Sequence, residues 1–171
     1  MKWVLFTLII ASVILAGCAT NPEQPEPVSS QNFEFTYSFG VGSDNVLDTE
    51  TNSYTKDMIC EDDIQYTIEL NEQEKQLISQ KMNENNLLSI KQDFTQNCDA
   101  IGNCQDVTPL SGKDLTIKTA NQTKTIKYRA NYHNPNDPEL QKFLEVTDLI
   151  EQIIRQKEQE QGIPQPTCGY L

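Results

Sequence analysis

The order of patterned segments predicts an α+β fold: a twisted, largely antiparallel sheet of about four to six strands with two helices packed on one face. Three observations lead there. Phe33 to Phe39 alternates apolar and polar residues as a half-buried strand does. Leu115 to Thr119 and Thr125 to Ala130 alternate in the same way around a polar turn, which reads as a β-hairpin. The stretch after Asp137 carries an apolar stripe at helical spacing between clear start and stop signals. The helical segments are set apart rather than inserted after every strand, so a doubly wound parallel sheet is not expected.

Taken in order, the domain opens with Phe33, Phe35, Tyr37 and Phe39 on one strand face. A face of four aromatics must be buried, because the basic surroundings of an aromatic nucleic-acid platform are missing. Gly40 to Asn45 is a turn. Leu47 to Met58 reads as one or two extended pieces, with Thr49, Thr51 and Tyr54 favouring β, and Ile64 to Leu70 alternates again. Asn71 followed by Glu74 has the spacing of a capping box, predicting a helix from Glu72 to about Asn85 with a narrow stripe of Leu77, Ile78 and Met82. Asn85-Asn86 suits a left-handed stop, after which Leu87, Leu88, Ile90 and Phe94 return the chain to the core.

Residues 95 to 113 are expected as a long loop, and the hairpin follows, with a glycosylation sequon at Asn121-Gln122-Thr123 that matters only in a host with that machinery. The last helix has Asp137 as N-cap, Pro138 at its first position and Glu139 in its first turn. Its stripe is Leu140, Phe143, Leu144, Thr147, Ile150, Ile153 and Ile154. Arg155 and Lys157 are expected to complement the negative end of the dipole, and Gly162 to end the helix after a frayed Glu/Gln run. The stripe is wide enough to suit one face of a sheet better than a coiled coil, so a monomer is expected.

Ahead of the domain, Met1-Lys2 is followed from Trp3 to Gly17 by mostly apolar residues without a charge, the layout of a secretory signal. The run stops by Ala19, short of the roughly 20 residues an ordinary span requires. Leu15-Ala16-Gly17-Cys18 resembles the lipobox of bacterial-type lipoproteins. That resemblance implies that residues 1–17 are removed and that Cys18 carries a diacylglyceryl group on sulfur, often with an acylated amine. At ~0.8 kcal/mol per buried methylene, two or three chains hold a protein on a bilayer where one is marginal. The expected address is a cell membrane or outer membrane, with the domain outside the cytoplasm. Ala19 is not the aspartate that resembles an inner-membrane retention signal. Residues 18–32 hold Pro22, Pro25 and Pro27 among polar residues and read as a tether, leaving 33–171 as one globular domain.

Without the leader the chain keeps 154 residues and a net charge of −13. That balance argues against nucleic acid and against electrostatic docking on anionic headgroups. Apart from Cys18, the cysteines are Cys60, Cys98, Cys104 and Cys168, an even set in an exported chain. Of three connectivities, Cys98–Cys104 with Cys60–Cys168 is favoured: the first pair brackets a short polar loop and the second ties the tail to the sheet. A zinc site is disfavoured by the lone histidine and the absence of CxxC, and no cofactor is expected.

Motifs for serine hydrolases, metalloproteases, phosphate loops and dinucleotides are absent. His133, the one histidine, would have to serve any Cys-His or Ser-His pair, and it lies in a turn-rich loop. Asp57, Glu61, Asp62 and Asp63 crowd around Cys60. Two of them could hold calcium or act as a carboxylate acid and base, yet their spacing matches no calcium loop, and a solvated turn is the default. No catalytic residue is therefore assigned.

Phe33-x-Phe-x-Tyr-x-Phe-Gly40, Tyr54-Thr-Lys-Asp-Met58, the helix after Leu70 and the tail Pro164 to Leu171 resemble a group of uncharacterised secreted or lipoprotein-like bacterial domains. The resemblance implies a shared fold but carries over no activity, and the internal cysteines depart from it. The sequence thus leads to a lipid-anchored envelope protein acting as a non-enzymatic binding or accessory module for an envelope protein partner. A carboxylate hydrolase and a calcium-dependent surface module are the alternatives.

Overall fold

The computed structural model describes residues 26–99, 101–104 and 108–170. The expected leader, the lipobox with Cys18 and most of the tether lie outside the described residues. The elements are β1 (Phe33–Val41), β2 (Asn45–Asp48), β3 (Ser53–Lys56), β4 (Ile64–Thr67), α1 (Glu72–Glu84), β5 (Asp93–Phe94), β6 (Ser111–Thr119), β7 (Thr123–Arg129) and α2 (Pro138–Gln161). Seven strands form one sheet in the order β4-β3-β2-β1-β6-β7-β5, so the fold is α+β.

The sheet is wider than the expected four to six strands. The Leu47–Met58 stretch folds into two strands around Asn52, which turns the chain at φ 55°. The other addition is β5, whose Asp93 and Phe94 pair in parallel with Lys127 and Tyr128 of β7. Two residues are too few to display an alternation. All other pairings are antiparallel.

Period-two alternation sends Phe33, Phe35 and Tyr37 of β1 into the core with Leu47, Tyr54, Leu115, Ile117 and Ile126. Phe39 is only partly buried. The opposite face carries Thr36, Ser38, Asp114, Thr116 and Thr125, half-exposed and polar. A sheet with one wet face needs its helices on the other, and both helices contribute to the same core.

α1 begins with the full capping box: Asn71 Oδ1 accepts from the Glu74 backbone N–H at 2.9 Å while Glu74 Oε2 accepts from the Asn71 N–H at 2.8 Å. It buries Ile78, Ser79 and Met82, whereas Leu77, expected on the stripe, is 53% exposed. The face centred on Ile78 and Met82 leaves Leu77 on its solvent side. α2 buries the expected stripe plus Val146, with Leu144 half-buried, and ends at Gly162 in the left-handed conformation. The Glu/Gln run is not frayed, so neither Arg155 nor Lys157 lies in the last turn. Lys157 instead reaches Glu74 of α1 at 3.0 Å and Lys81 reaches Glu145 at 3.7 Å, which sets the helices antiparallel.

Packing starts before Phe33. Val28 is buried, its N–H donates to Asn83 Oδ1 at 2.8 Å, and Asn83 Nδ2 donates to the Val28 carbonyl at 2.8 Å. One amide side chain supplies the donor and acceptor that a neighbouring strand would. Glu26 accepts from Asn121 in the β6–β7 turn. The last residues of the expected tether are therefore seated on the domain.

Disulfides join Cys60 to Cys168 and Cys98 to Cys104, with Cα atoms 6.3 Å and 3.9 Å apart. Both lie at the end of the sheet where Val41 pairs with Ser111, opposite the end where Phe33 pairs with Thr119. Asn45, paired with Phe39, holds the Asp57 N–H next to Cys60, and Gln96 accepts from the His133 N–H beyond β7.

Candidate functional site

At this cystine-bearing end the tail 163–170 crosses a cleft of about 300 Å³ between β3 and α2. The alternation of β3 points Tyr54 and Lys56 to the core side together, and both are nearly fully buried. A buried ammonium requires a counter-charge. α2 supplies Glu158, one turn beyond Ile154 on the same stripe, with Lys56 Nζ 2.8 Å from Glu158 Oε1. The Tyr54 hydroxyl donates to the same oxygen at 2.8 Å, and Gln165 Nε2 from the tail donates to Glu158 Oε2 at 3.4 Å.

Asp57 follows Lys56 and is also buried. Its Oδ1 accepts from the Ile59 N–H at 2.7 Å and its Oδ2 accepts from the Tyr170 hydroxyl. Ile59 has φ 64°, a left-handed conformation that a β-branched residue adopts only under constraint. The disulfide at Cys60, the Asp57 bond and the tail supply that constraint. Thr167 adds a hydrogen bond to Glu61 at 3.0 Å.

Three phenols have raised pKa values. Burial and then the Glu158 bond raise Tyr54, burial and then Glu151 raise Tyr37, and the bond to Asp57 pushes Tyr170 up to about 12. All three remain protonated donors at neutral pH.

The acids singled out in the sequence are separated by the fold. Asp57 lines the cleft, whereas Glu61, Asp62 and Asp63 are exposed, so Asp57 is not part of a solvated turn. His133 is exposed with Nδ1 3.0 Å from the Gln96 carbonyl, and it borders a different hollow of about 440 Å³ alongside Asp99, Asn103 and Tyr132. Among the described residues no group of three or more His, Cys, Asp or Glu is placed to hold a metal ion. In the cleft, every oxygen of Asp57 and Glu158 already accepts a hydrogen bond from the protein. The arrangement is suited to holding shape rather than to moving protons.

No sequence pattern singles out Lys56, Glu158 and Tyr170 as a site. The strand period put Lys56 on the Tyr54 face, and the stripe of α2 continued through Ile150 and Ile154 to Glu158. Both signals are legible, but a charged residue makes its own position read as solvent-exposed, and the partner that buries it lies 102 residues away. Compared with known proteins, the chain matches no family model and no curated sequence. No helix among the described residues is long and apolar enough to cross a membrane.

Proposed function

We propose that the chain is a lipid-anchored cell-envelope protein, held by acyl groups on Cys18, whose domain is a non-enzymatic binding or accessory module. The reading rests on the lipobox-like Leu15-Ala16-Gly17-Cys18. Its main structural support is that Cys60, Cys98, Cys104 and Cys168 all pair within the domain, as in a chain folded under oxidising conditions. That leaves Cys18 outside the cystine set. The saturated bonding of Asp57 and Glu158 favours binding over hydrolysis, and among the described residues Glu61, Asp62 and Asp63 belong to no group of three or more ligating side chains placed to hold a metal ion.

The test is Cys18→Ala. The variant is expected to stay an unlipidated precursor that keeps its leader, while intact-mass analysis of the wild type finds the leader removed and acyl groups on Cys18. A bare Cys18 in the mature protein rejects the anchor. The melting temperature is expected to be the same in calcium and in chelator, and a rise in calcium would favour the cation-dependent alternative.

A further inference from the structure

We infer that the seat of the tether points the cystine-bearing end of the sheet away from the bilayer, and that this end is where a basic envelope protein docks, with Ile101 and Tyr170 as its apolar anchors. The inference rests on the anchoring reading above and assigns its binding surface.

The geometry starts from Val28. The reciprocal pair of bonds with Asn83 and the contact of Glu26 with Asn121 fix residues 26–28 at the β6–β7 turn and the last turn of α1. Residues 18–25 remain between the lipid-bearing cysteine and that seat, a contour of at most about 29 Å at ~3.6 Å per residue. The nine residues of β1 put the two ends of the sheet roughly 27 Å apart. Bringing the far end to the headgroups would use nearly the whole contour folded back along the domain. The charge of −13 also opposes laying an acidic flank on an anionic leaflet.

The outward end is chemically distinct. Among the described residues the exposed large apolar side chains are Leu77, Ile101 and Tyr170, at 53%, 84% and 42%. Isolated exposed apolar residues are ordinary, but Ile101 and Tyr170 share this end and each lies beside a cystine. Ile101 sits inside the Cys98–Cys104 loop, where Asp99 Oδ1 accepts from the N–H groups of Ile101 and Asn103 at 3.0 and 2.9 Å. Tyr170 is two residues past Cys168 and held by Asp57. Side chains next to a cystine and a hydrogen-bonded backbone lose little entropy on binding, so small apolar anchors there count for more. Exposed Asp44, Glu61 and Asp63 lie by Tyr170 and its tail and Asp99 lies by Ile101, against the exposed Arg155 in the same cleft, and that acidic excess selects a partner with a basic rim and apolar pockets.

The experiment uses the lipidated protein in phosphatidylcholine vesicles containing a dansyl-labelled lipid. Trp3 is the one tryptophan and lies in the leader, so Ala120→Trp and Ile101→Trp each provide a single donor in the mature chain. Energy transfer is expected to be several-fold more efficient from position 120 than from position 101, and Asn83→Ala, which opens the seat, is expected to narrow that ratio. Equal or inverted transfer from protein that pellets with the vesicles overturns the orientation alone. Protein that stays in the supernatant overturns the anchor and the orientation together. In intact cells, a photo-crosslinker at position 101 or 170 is expected to give protein adducts in several-fold excess over position 77, with a yield that falls as salt rises. Lipid adducts at 101, or equal yields at 77, overturn the docking surface.

Discussion

The Lys56–Glu158 pair concentrates the residue-scale energetics of the cleft. Both side chains are less than a tenth exposed, so removing one partner leaves an uncompensated charge in a weakly polarisable setting. Glu158→Leu alone or Lys56→Met alone is expected to cost about 3 to 5 kcal/mol in urea unfolding, whereas the double replacement is expected to recover most of it. A double variant as unstable as the singles would mean that the surrounding bonds of Tyr54 and Gln165 matter more than the charges. Lys113 makes a related point nearer the surface. Burial alone would lower its pKa, but its bonds to Glu151 and Asp148 outweigh burial and the value is raised. Its contribution to stability is thus complete below the ordinary lysine range and is lost as pH climbs through the raised value. Lys113→Met should flatten the alkaline limb of a stability-against-pH curve and leave the acid limb unchanged.

Among the elements, the two helices hold each other through their ends. Glu74 closes the α1 capping box with one oxygen and meets Lys157 of α2 with the other. Glu74→Ala is expected to cost about 1 kcal/mol from the lost cap, with Lys157→Met recovering none of it if the cap dominates. Asp137 combines a cap with a charge: it caps Glu139 and bonds Lys91, whose ammonium holds the carboxyl below its ordinary value. A depressed carboxylate stabilises the fold above its unfolded pKa, and that contribution is lost as pH falls through the folded value. Asp137→Asn keeps an accepting cap but not the charge, so it should weaken acid sensitivity below about pH 4 while leaving the α2 start intact by circular dichroism.

At the scale of the whole molecule, the two disulfides close loops of very different size, 108 and 6 residues of separation. Chain entropy assigns about 5 kcal/mol to the first and about 2 kcal/mol to the second. Replacing Cys60 and Cys168 with serine is therefore expected to lower the unfolding midpoint more than replacing Cys98 and Cys104, measured under non-reducing conditions. Equal effects would indicate that the tail is held mainly by Tyr170, Thr167 and Gln165. The tail also explains why the candidate site was only half legible in the sequence. Asp57 stands out as an acid near Cys60, but the hydroxyl that donates to its Oδ2 belongs to Tyr170, 113 residues later. Contacts of that range leave no periodicity to read.

What the sequence determined by itself was local. The aromatic alternation of β1, the β6–β7 hairpin, the capping box of α1 and the Pro138-to-Gly162 span of α2 follow from backbone geometry and side-chain period within a dozen residues or so. Only the tertiary structure decided the rest. Phe94 joins the sheet through a two-residue strand, Val28 is seated on Asn83, and Lys56 and Glu158 neutralise each other in the interior. The reason is the same in each case: a polar or short segment is buried only where a distant residue supplies the missing hydrogen bond or charge, and that partner is chosen by the fold.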